Sequence, residues 1–334
     1  MKTKTLVAVL LIISLCFSLV GCGFAPSVSD DTSAITDEIN DTAPDTEEEQ
    51  IKEITPLLYK VTNDAGNTVW LFGSVHVGEE YFYPLPDYVT DAFDDAEALA
   101  VELDIVAFEK DLAAQTAVMA SLVYTDGTKI DEHISAELYD QAVEILKECG
   151  LYNPFLDYYI PSFWSSCIDS ALYEKLGVKD EYGIDRNMIE LAYEAEKDVL
   201  EIESAEFQYN MLSEFSEELQ IMLLSDSIES FYSDQALEDI EALIDLWESG
   251  NSKEFGEYVT EKPFFFSVEE KLLYEEYNNA MLTSRNLSMT DYAEQALTSG
   301  DELFICVGAA HIVGEGAMAD LLAERGYTVE EIKG

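Results

Sequence analysis

Beyond residue 54 the chain alternates between short apolar runs and longer stretches with apolar residues every three or four positions. Short apolar runs bounded by Gly, Asn and Asp are typical of strands. Six are predicted, at 57–62, 69–74, 98–103, 199–202, 303–307 and 327–332. The turn residues 63–67 separate the first two and predict a hairpin, so we expect a sheet of mixed strand direction.

The stretches of helical period occupy most of the remaining chain. They predict helices at 86–95, 108–122, 136–149, 161–176, 184–196, 205–248 in two pieces, 268–280, 290–298 and 315–325. We therefore predict an α/β (α+β) fold, in which the N- and C-terminal segments form a mixed central β-sheet and a large helical insertion caps it. Such a cap would form one wall of a cleft.

The N-terminus has the pattern of a targeting segment. Lys2 and Lys4 precede an uncharged apolar stretch over 6–20, which ends in Leu-Val-Gly-Cys at Cys22. We predict a lipoprotein signal peptide over 1–21. The ending resembles the bacterial lipobox, which implies cleavage before Cys22 and attachment of lipid chains (diacylglycerol, palmitate) there. The protein would then sit on the extracytoplasmic side of the cell membrane; an ordinary secretory signal or an uncleaved anchor helix is the alternative.

Residues 22–53 are predicted to form a flexible acidic tether. Positions 23–50 are rich in Ser, Thr, Asp, Glu, Ala and Pro, contain no Lys or Arg, and show no apolar period. The folded domain is accordingly expected over 54–334. The tether would set the distance between this domain and the membrane.

The charge balance restricts the possible partners. The chain has 17 basic and 69 acidic residues, a net charge of −52, with an apolar fraction of 48% that is typical of a globular protein. So negative a surface repels phosphate backbones, so we expect no nucleic-acid partner. Cationic peptides or metal ions are more suitable ligands; alternatively the acidity serves only solubility.

The cysteines show no recognisable disulfide or metal-binding pattern. With Cys16 in the signal peptide and Cys22 lipidated, Cys149, Cys167 and Cys306 remain, with no C-x-x-C spacing. This odd number argues against a set of disulfides and against a cysteine-rich zinc site. A Cys149–Cys167 pairing stays open.

Two copies of Gly-x-x-His occur near opposite ends of the domain. Gly73-Ser74-Val75-His76 and Gly308-Ala309-Ala310-His311 each follow an apolar run, and they use two of three histidines. Ligands of α/β sheets bind beyond strand ends of this kind, so we predict that both imidazoles share one site, where they hold a metal or act as a base. The alternative is two unrelated turns with ordinary hydrogen bonds.

Three further residues are candidates for that site. Glu102 follows an apolar strand, where a carboxylate is costly to bury unless it is paired or coordinated. With two imidazoles it would form a ligand set for a hydrolytic metal, or it could activate water without one. Arg285, followed by Asn286, could stabilise an oxyanion or bind a substrate carboxylate; a structural salt bridge is the alternative.

Other polar residues are weaker candidates. Asp185 is interpreted as a first-turn helix residue favoured by the helix dipole, and the stretch 203–208 as a lesser candidate. His133 is interpreted as a loop residue outside the site.

The ordered set of motifs resembles the TraB/GumN family, also called the TIKI/TraB group, over about 57–332. The matching segments, which agree with the family in their order, are 71–78, 85–86, 101–104, 183–185, 200–203 with Gln208, 285–286, 307–314 and 326–329. No single segment is specific, but the ordered set is.

This resemblance implies a site built from both Gly-x-x-His motifs, with Gly73 and Gly308 as motif glycines. Animal members resemble metal-dependent peptidases, a bacterial branch acts in pheromone shutdown, and the wider clan includes erythromycin-esterase-like and haem-iron-binding proteins. By analogy His76 and His311 would bind a divalent metal (Mn, Co or Zn), Glu102 would be a ligand or base, and Arg285 with Asn286 would hold the substrate or oxyanion.

The expected function is therefore a lipid-anchored, extracytoplasmic, metal-dependent hydrolase acting on peptides. A non-catalytic protein that binds a peptide or metal, and a metal-free esterase-like hydrolase, are the alternatives.

Overall fold

A computed structural model describes residues 53–263, 265 and 267–334. The predicted signal peptide, the lipidation site Cys22 and residues 22–52 of the predicted tether lie outside the described residues. No helix in the described part of the chain is long and apolar enough to cross a membrane.

One mixed sheet forms the centre of the domain. Its order is β4-β3-β5-β2-β1-β6, with β1 antiparallel to both neighbours and the other pairs parallel. The predicted strands and the mixed direction are confirmed, and the edge strand β4 comes from the middle of the chain. The strands are β1 Leu58–Thr62, β2 Thr68–Ser74, β3 Ala98–Val101, β4 Asp198–Glu201, β5 Leu303–Gly308 and β6 Thr328–Ile332.

Helices surround the sheet and form the cap. They are α1 Asp87–Asp95, α2 Ile105–Phe108, α3 Leu112–Ser121, α4 Ala136–Glu148, α5 Pro161–Leu176, α6 Ile184–Glu194, α7 Ala205–Glu214, α8 Glu217–Phe231, α9 Gln235–Glu248, α10 Ser252–Thr260, α11 Val268–Asn278, α12 Ser284–Ser299, α13 Ala309–Ile312 and α14 Met318–Glu324.

Capping residues explain where the predicted helices were wrong. The stretch 205–248 is three helices rather than two, because the Ser216 side chain accepts a hydrogen bond from the backbone N–H of Leu219 and starts α8. Asp111 likewise caps α3 and divides the predicted helix 108–122. The helix predicted at 290–298 begins earlier, at Ser284, after a π-helical turn Asn279–Thr283. Helices α10 and α13, and residues 105–107 of α2, were not predicted.

Strand β5 lies at the centre of the core. All six of its residues are buried, and Phe304 contacts the rings of Phe72 and Phe93 at centroid distances of 5.5 and 5.6 Å. Such aromatic pairs stabilise a core by more than the burial of their apolar surface alone.

The cap is tied to the first Gly-x-x-His motif. Trp247 of α9 is fully buried, and its indole Nε1 donates a hydrogen bond to the carbonyl oxygen of Gly73 at 2.7 Å. The cap helix therefore holds the end of β2 in place.

Candidate functional site

Parallel pairing of β2 with β5 brings the two Gly-x-x-His motifs side by side. Gly73 is opposite Val307, and Ser74 is opposite Gly308. A Cβ atom on Gly73 would lie 3.0 Å from the Cβ of Ala309, so a glycine lets β2 approach α13 closely. After the strands, His76 lies in a loop and His311 lies in α13.

His311 is held in one tautomer. Its ring is fully buried, and its Nδ1 lies 2.7 Å from Asn286 Oδ1. The Asn286 amide nitrogen donates to the carbonyl of Gly316 at 3.1 Å, so Oδ1 is the acceptor and His311 Nδ1 carries the proton.

The opposite ring nitrogen of His311 is therefore an unprotonated lone pair. Nε2 is buried without a hydrogen-bond partner among the described residues, and it lies 3.8 Å from Glu102 Oε1. Burial, and then the Arg285 charge, lower the pKa of His311 to about 3, so the ring is neutral at physiological pH.

Glu102 follows β3 and is held by three groups. Its Oε1 accepts the backbone N–H of Gly308 at 2.8 Å, and its Oε2 accepts from the guanidinium of Arg285 and, at 3.4 Å, from Gln208. Burial by itself would raise the pKa of Glu102, but Arg285 and the neighbouring groups outweigh it and lower this pKa to about 2. Glu102 is therefore a carboxylate with a fixed orientation.

Arg285 lies in the first turn of α12 and is 2% exposed. Its Nε and Nη2 donate to the two carboxylate oxygens of Glu203, each at 2.8 Å, and Nη2 also donates to Glu102. Its Nη1 donates to the carbonyl of Met281 in the π-helical turn, at 3.3 Å. These contacts agree with the alternative that Arg285 forms a structural salt bridge. Arg285 would therefore influence a bound ligand by holding the Glu102 carboxylate in place.

His76 forms a pair with Asp185. Its Nδ1 lies 2.7 Å from Asp185 Oδ2. Burial by itself would lower the pKa of His76, but the charge and hydrogen bond of Asp185 outweigh it and raise the pKa above the ordinary value. Asp185 also occupies the first turn of α6, as predicted.

Close backbone contacts place that pair. Ile184 N donates to the carbonyl of Val75 at 2.9 Å, and a Cβ atom on Gly183 would lie 2.4 Å from the carbonyl oxygen of His76. Only glycine permits this approach, so the motif loop and the start of α6 are joined at the backbone.

The site includes three residues that were weaker candidates in the sequence: Asp185, Glu203 and Gln208. Glu203 and Gln208 follow β4, which is parallel to β3, so their side chains reach the same sheet edge as Glu102. Pairing β3 with β4 as neighbouring parallel strands would have indicated this, because the ends of such strands lie at the same sheet edge. His133 lies outside the site, between Glu217 and Thr128 at 2.7 Å from each.

A small open pocket lies at this edge; the empty space of about 300 Å³ that it outlines includes open solvent. Its wall is partly apolar and partly polar, and His311, Arg285 and Asn286 do not line it. The lining residues are Ser74, His76, Val101, Glu102, Leu103, Ile105, Asp185, Gln208, Cys306 and Val307.

The residues at this sheet edge provide part of a metal-binding site. No group of three His, Cys, Asp or Glu side chains in the described residues is arranged to hold one. His311 Nε2 and Glu102 Oε1 nevertheless form a pair of fixed donors, since a fixed tautomer and an ionised carboxylate are what a metal requires. His76 is close enough to both groups that its charge lowers the pKa of Glu102 and of His311.

The fold and the site define an α/β protein with a carboxylate and two histidines at the ends of parallel strands. The chain belongs to the TraB/PrgY/gumN family, which it matches over residues 57–331.

Two curated relatives are similar to this chain. The uncharacterized protein YbaP of Escherichia coli (strain K12) is 26% identical over 254 residues, which is 75% of this chain and 86% of that protein. The uncharacterized protein YbaP of Shigella flexneri has the same identity and coverage. No solved structure matches the chain significantly.

Proposed function

We propose that this protein is a metal-dependent hydrolase of peptide or amide bonds. The observation that supports it best is the buried lone pair of His311 Nε2, which faces the ionised Glu102 at 3.8 Å. A buried nitrogen without a partner in the described residues is costly, and a bound ligand would remove this cost.

His311 and Glu102 would hold the metal, and His76 would supply a further ligand. Mn, Co and Zn all accept nitrogen and carboxylate donors. A bound divalent ion lowers the pKa of water and polarises a carbonyl oxygen. Each ligand has a supporting contact: Asn286 for His311, Arg285 for Glu102, and Asp185 for His76.

His76 would transfer a proton only in a reaction without metal, because as a ligand its ring is bound to the metal. A general acid or base works best when its pKa lies near the working pH. Glu102 and His311, with pKa values near 2 and 3, are weak bases, whereas the pKa of His76 is raised. In the proposed reaction water adds to the carbonyl carbon, the C–N bond breaks, and the leaving amine gains a proton.

A binding protein without turnover is the second candidate. Both oxygens of Glu102 already accept hydrogen bonds, from Gly308, Gln208 and Arg285. Those bonds lower its availability as a metal ligand, which favours capture of a peptide without cleavage. A metal-free esterase-like reaction is less favoured because it would depend on His76 alone, since Glu102 and His311 are weak bases.

The proposed location is the extracytoplasmic face of the cell membrane, with Cys22 carrying the lipid. It rests on the signal-peptide pattern of residues 1–22. Each buried methylene of a lipid chain would contribute about 0.8 kcal/mol to membrane attachment.

The proposed function is tested on metal-free full-length protein with Mn, Co or Zn added singly. A fluorogenic peptide reports cleavage, and atomic spectroscopy reports bound metal. A stoichiometric metal that activates cleavage supports the hydrolase, while metal or peptide binding without cleavage supports the second candidate. Activity that survives strong chelation would point to metal-free hydrolysis. His311→Ala is compared with His133→Ala, which changes a histidine outside the site.

A further inference from the structure

Two buried oxygen atoms at the pocket have no hydrogen-bond partner in the described part of the chain. They are Ser74 Oγ and Asp185 Oδ1. Ser74 is fully buried and Asp185 is 9% exposed, and both residues line the pocket. The other carboxylate oxygen of Asp185, Oδ2, is bonded to His76. A buried polar atom without a hydrogen bond is costly, so both oxygens are suited to bind a ligand.

The backbone holds these two oxygens near each other. Ile184 N donates to the carbonyl of Val75 at 2.9 Å; Ser74 precedes Val75 and Asp185 follows Ile184. Both side chains also reach the Cys306 thiol. Burial raises the pKa of this thiol, the charge of Asp185 raises it further, and the Ser74 hydroxyl lowers it. Ser74 Oγ and Asp185 Oδ1 do not bond to each other, so a group between them would satisfy both.

The size of the enclosed space points to water as that group. The pocket has room for about one water-sized group inside its mouth, which excludes a substrate side chain. A buried water is typically held by about three polar groups. Asp185 Oδ1 accepts a hydrogen bond from it, and the Ser74 hydroxyl donates or accepts another. His76 and Glu102, two of the proposed metal ligands, line the same space.

We infer that Ser74 and Asp185 hold the water molecule that attacks the substrate. This inference rests on the proposed hydrolase and names the residues that position its second reactant. Neither residue is a proposed metal ligand, so both keep their contact with the water when the metal is bound. The water oxygen bonds to the carbonyl carbon, and the C–N bond breaks. One water proton ends on the leaving nitrogen, and the other remains on the new carboxyl group.

The water site is tested by high-resolution crystallography of the metal-free full-length protein. We expect one ordered water at about 2.5–3.0 Å from both Ser74 Oγ and Asp185 Oδ1. In a Ser74→Ala crystal this water should lose order or move toward Asp185, because one of its contacts is gone. A parent structure in which no water is bonded to both oxygens would overturn the inference.

Kinetics separate an attacking water from a merely structural one. Ser74→Ala should lower kcat by about twofold to tenfold, the range for one neutral hydrogen bond, with KM and bound metal unchanged. Ser230→Ala is the matched control. Ser230 is also fully buried, and its hydroxyl has no partner in the described residues, but it lies in α8 and does not line the pocket. Equal kcat in the parent and Ser74→Ala proteins, or the same loss in Ser230→Ala, would overturn the inference.

A second variant shows whether Ser74 and Asp185 hold the same water. Asp185→Asn keeps the side-chain shape but removes the charge, so kcat should fall by about tenfold to a hundredfold. Because Asp185 also contacts His76, bound metal is measured in each sample and kcat is given per bound metal. In the double variant the loss should be smaller than the product of the two single losses, since both residues act on one water. Losses that multiply would contradict a shared water.

The crystal structures also separate this inference from the proposed function. A water bonded to both oxygens in a protein that cleaves no peptide with any of the three metals would refute the hydrolase and the attack, and leave only a structural water. Cleavage by a protein that lacks this water would overturn the inference and leave the hydrolase in place.

Discussion

The side-chain oxygen of Asn286 accepts a hydrogen bond from His311 Nδ1 at 2.7 Å, and this contact decides which imidazole nitrogen faces Glu102. The preceding residue, Arg285, binds Glu102 directly. Two adjacent residues at the start of α12 thus orient two of the three proposed metal ligands, one each. This gives a structural reason why Arg285 and Asn286 are next to each other in the sequence.

Asn286→Ala should weaken metal binding without unfolding the protein. Loss of the acceptor lets either ring nitrogen of His311 carry the proton, and changes in such supporting contacts lower metal affinity by about 10- to 100-fold. Competition with a chromogenic chelator measures the affinity, and Asn279→Ala, at an exposed position shortly before α12, is the control. Equal affinity in the parent and Asn286→Ala proteins would contradict this role.

His76→Ala and His311→Ala should each abolish metal retention, because each removes one proposed ligand. Both variants should still unfold cooperatively on heating, since strands β2 and β5 remain intact. Metal content after gel filtration is the measurement, with His133→Ala as the matched control. If both variants retain metal like the parent, the two motifs do not share a metal site.

Gly73→Ala should destabilise the fold where β2 meets α13. The new Cβ would lie 3.0 Å from the Cβ and 3.1 Å from the Cα of Ala309, and overpacking of this kind typically costs about 1–3 kcal/mol. Urea unfolding measures the loss. Adding Ala309→Gly removes one of the two clashing atoms, so the double variant should lose less than the sum of the single changes. Strict additivity would argue against this contact.

Asp169→Asn should remove part of the pH dependence of stability. Asp169 lies in α5, and burial, with a further contribution from Asp226, raises its pKa to about 7 although the nearby Ser227 hydroxyl acts to lower it. The unfolded value is about 3.9, so the native state holds the proton more tightly. Stability from this group is therefore present below about pH 4 and is lost as pH rises to about 7.

The free energy of unfolding falls by at most about 1.4 kcal/mol for each unit by which the pKa of Asp169 differs between the folded and unfolded states. Urea unfolding at pH 5 and pH 8 should show a smaller difference for Asp169→Asn than for the parent. Asp91→Asn, at an exposed position of α1, is the control. An unchanged pH dependence would mean that Asp169 ionises normally in the folded protein.

Cys22→Ser should leave the protein unlipidated. Without lipid chains the hydrophobic attachment to the membrane is lost, so the variant should move from the detergent phase to the aqueous phase in Triton X-114 partitioning. Mass spectrometry of the parent should show the lipid on Cys22. Partitioning that is the same in both proteins would refute the lipoprotein proposal.

Much of the fold was predictable because its signals are local. The apolar runs that became β2 and β5 differ from the predicted bounds by one residue each, since strand length follows from the run itself. The three helices in 205–248 were harder to divide, because Ser216 ends one helix and starts the next within an almost continuous apolar period. Helix α13 was missed because its four residues are too few to show a period.

Residue type and spacing were enough to predict the strands, most helices and the excess of acidic residues. They were also enough to select five candidate site residues, which are His76, Glu102, Arg285, Asn286 and His311. Tertiary structure alone decided their partners. It placed Asp185 against His76, Glu203 against Arg285, and Asn286 against His311. Those pairs join residues far apart in the chain, and which residues meet depends on the order of strands in the sheet, which local periodicity does not encode.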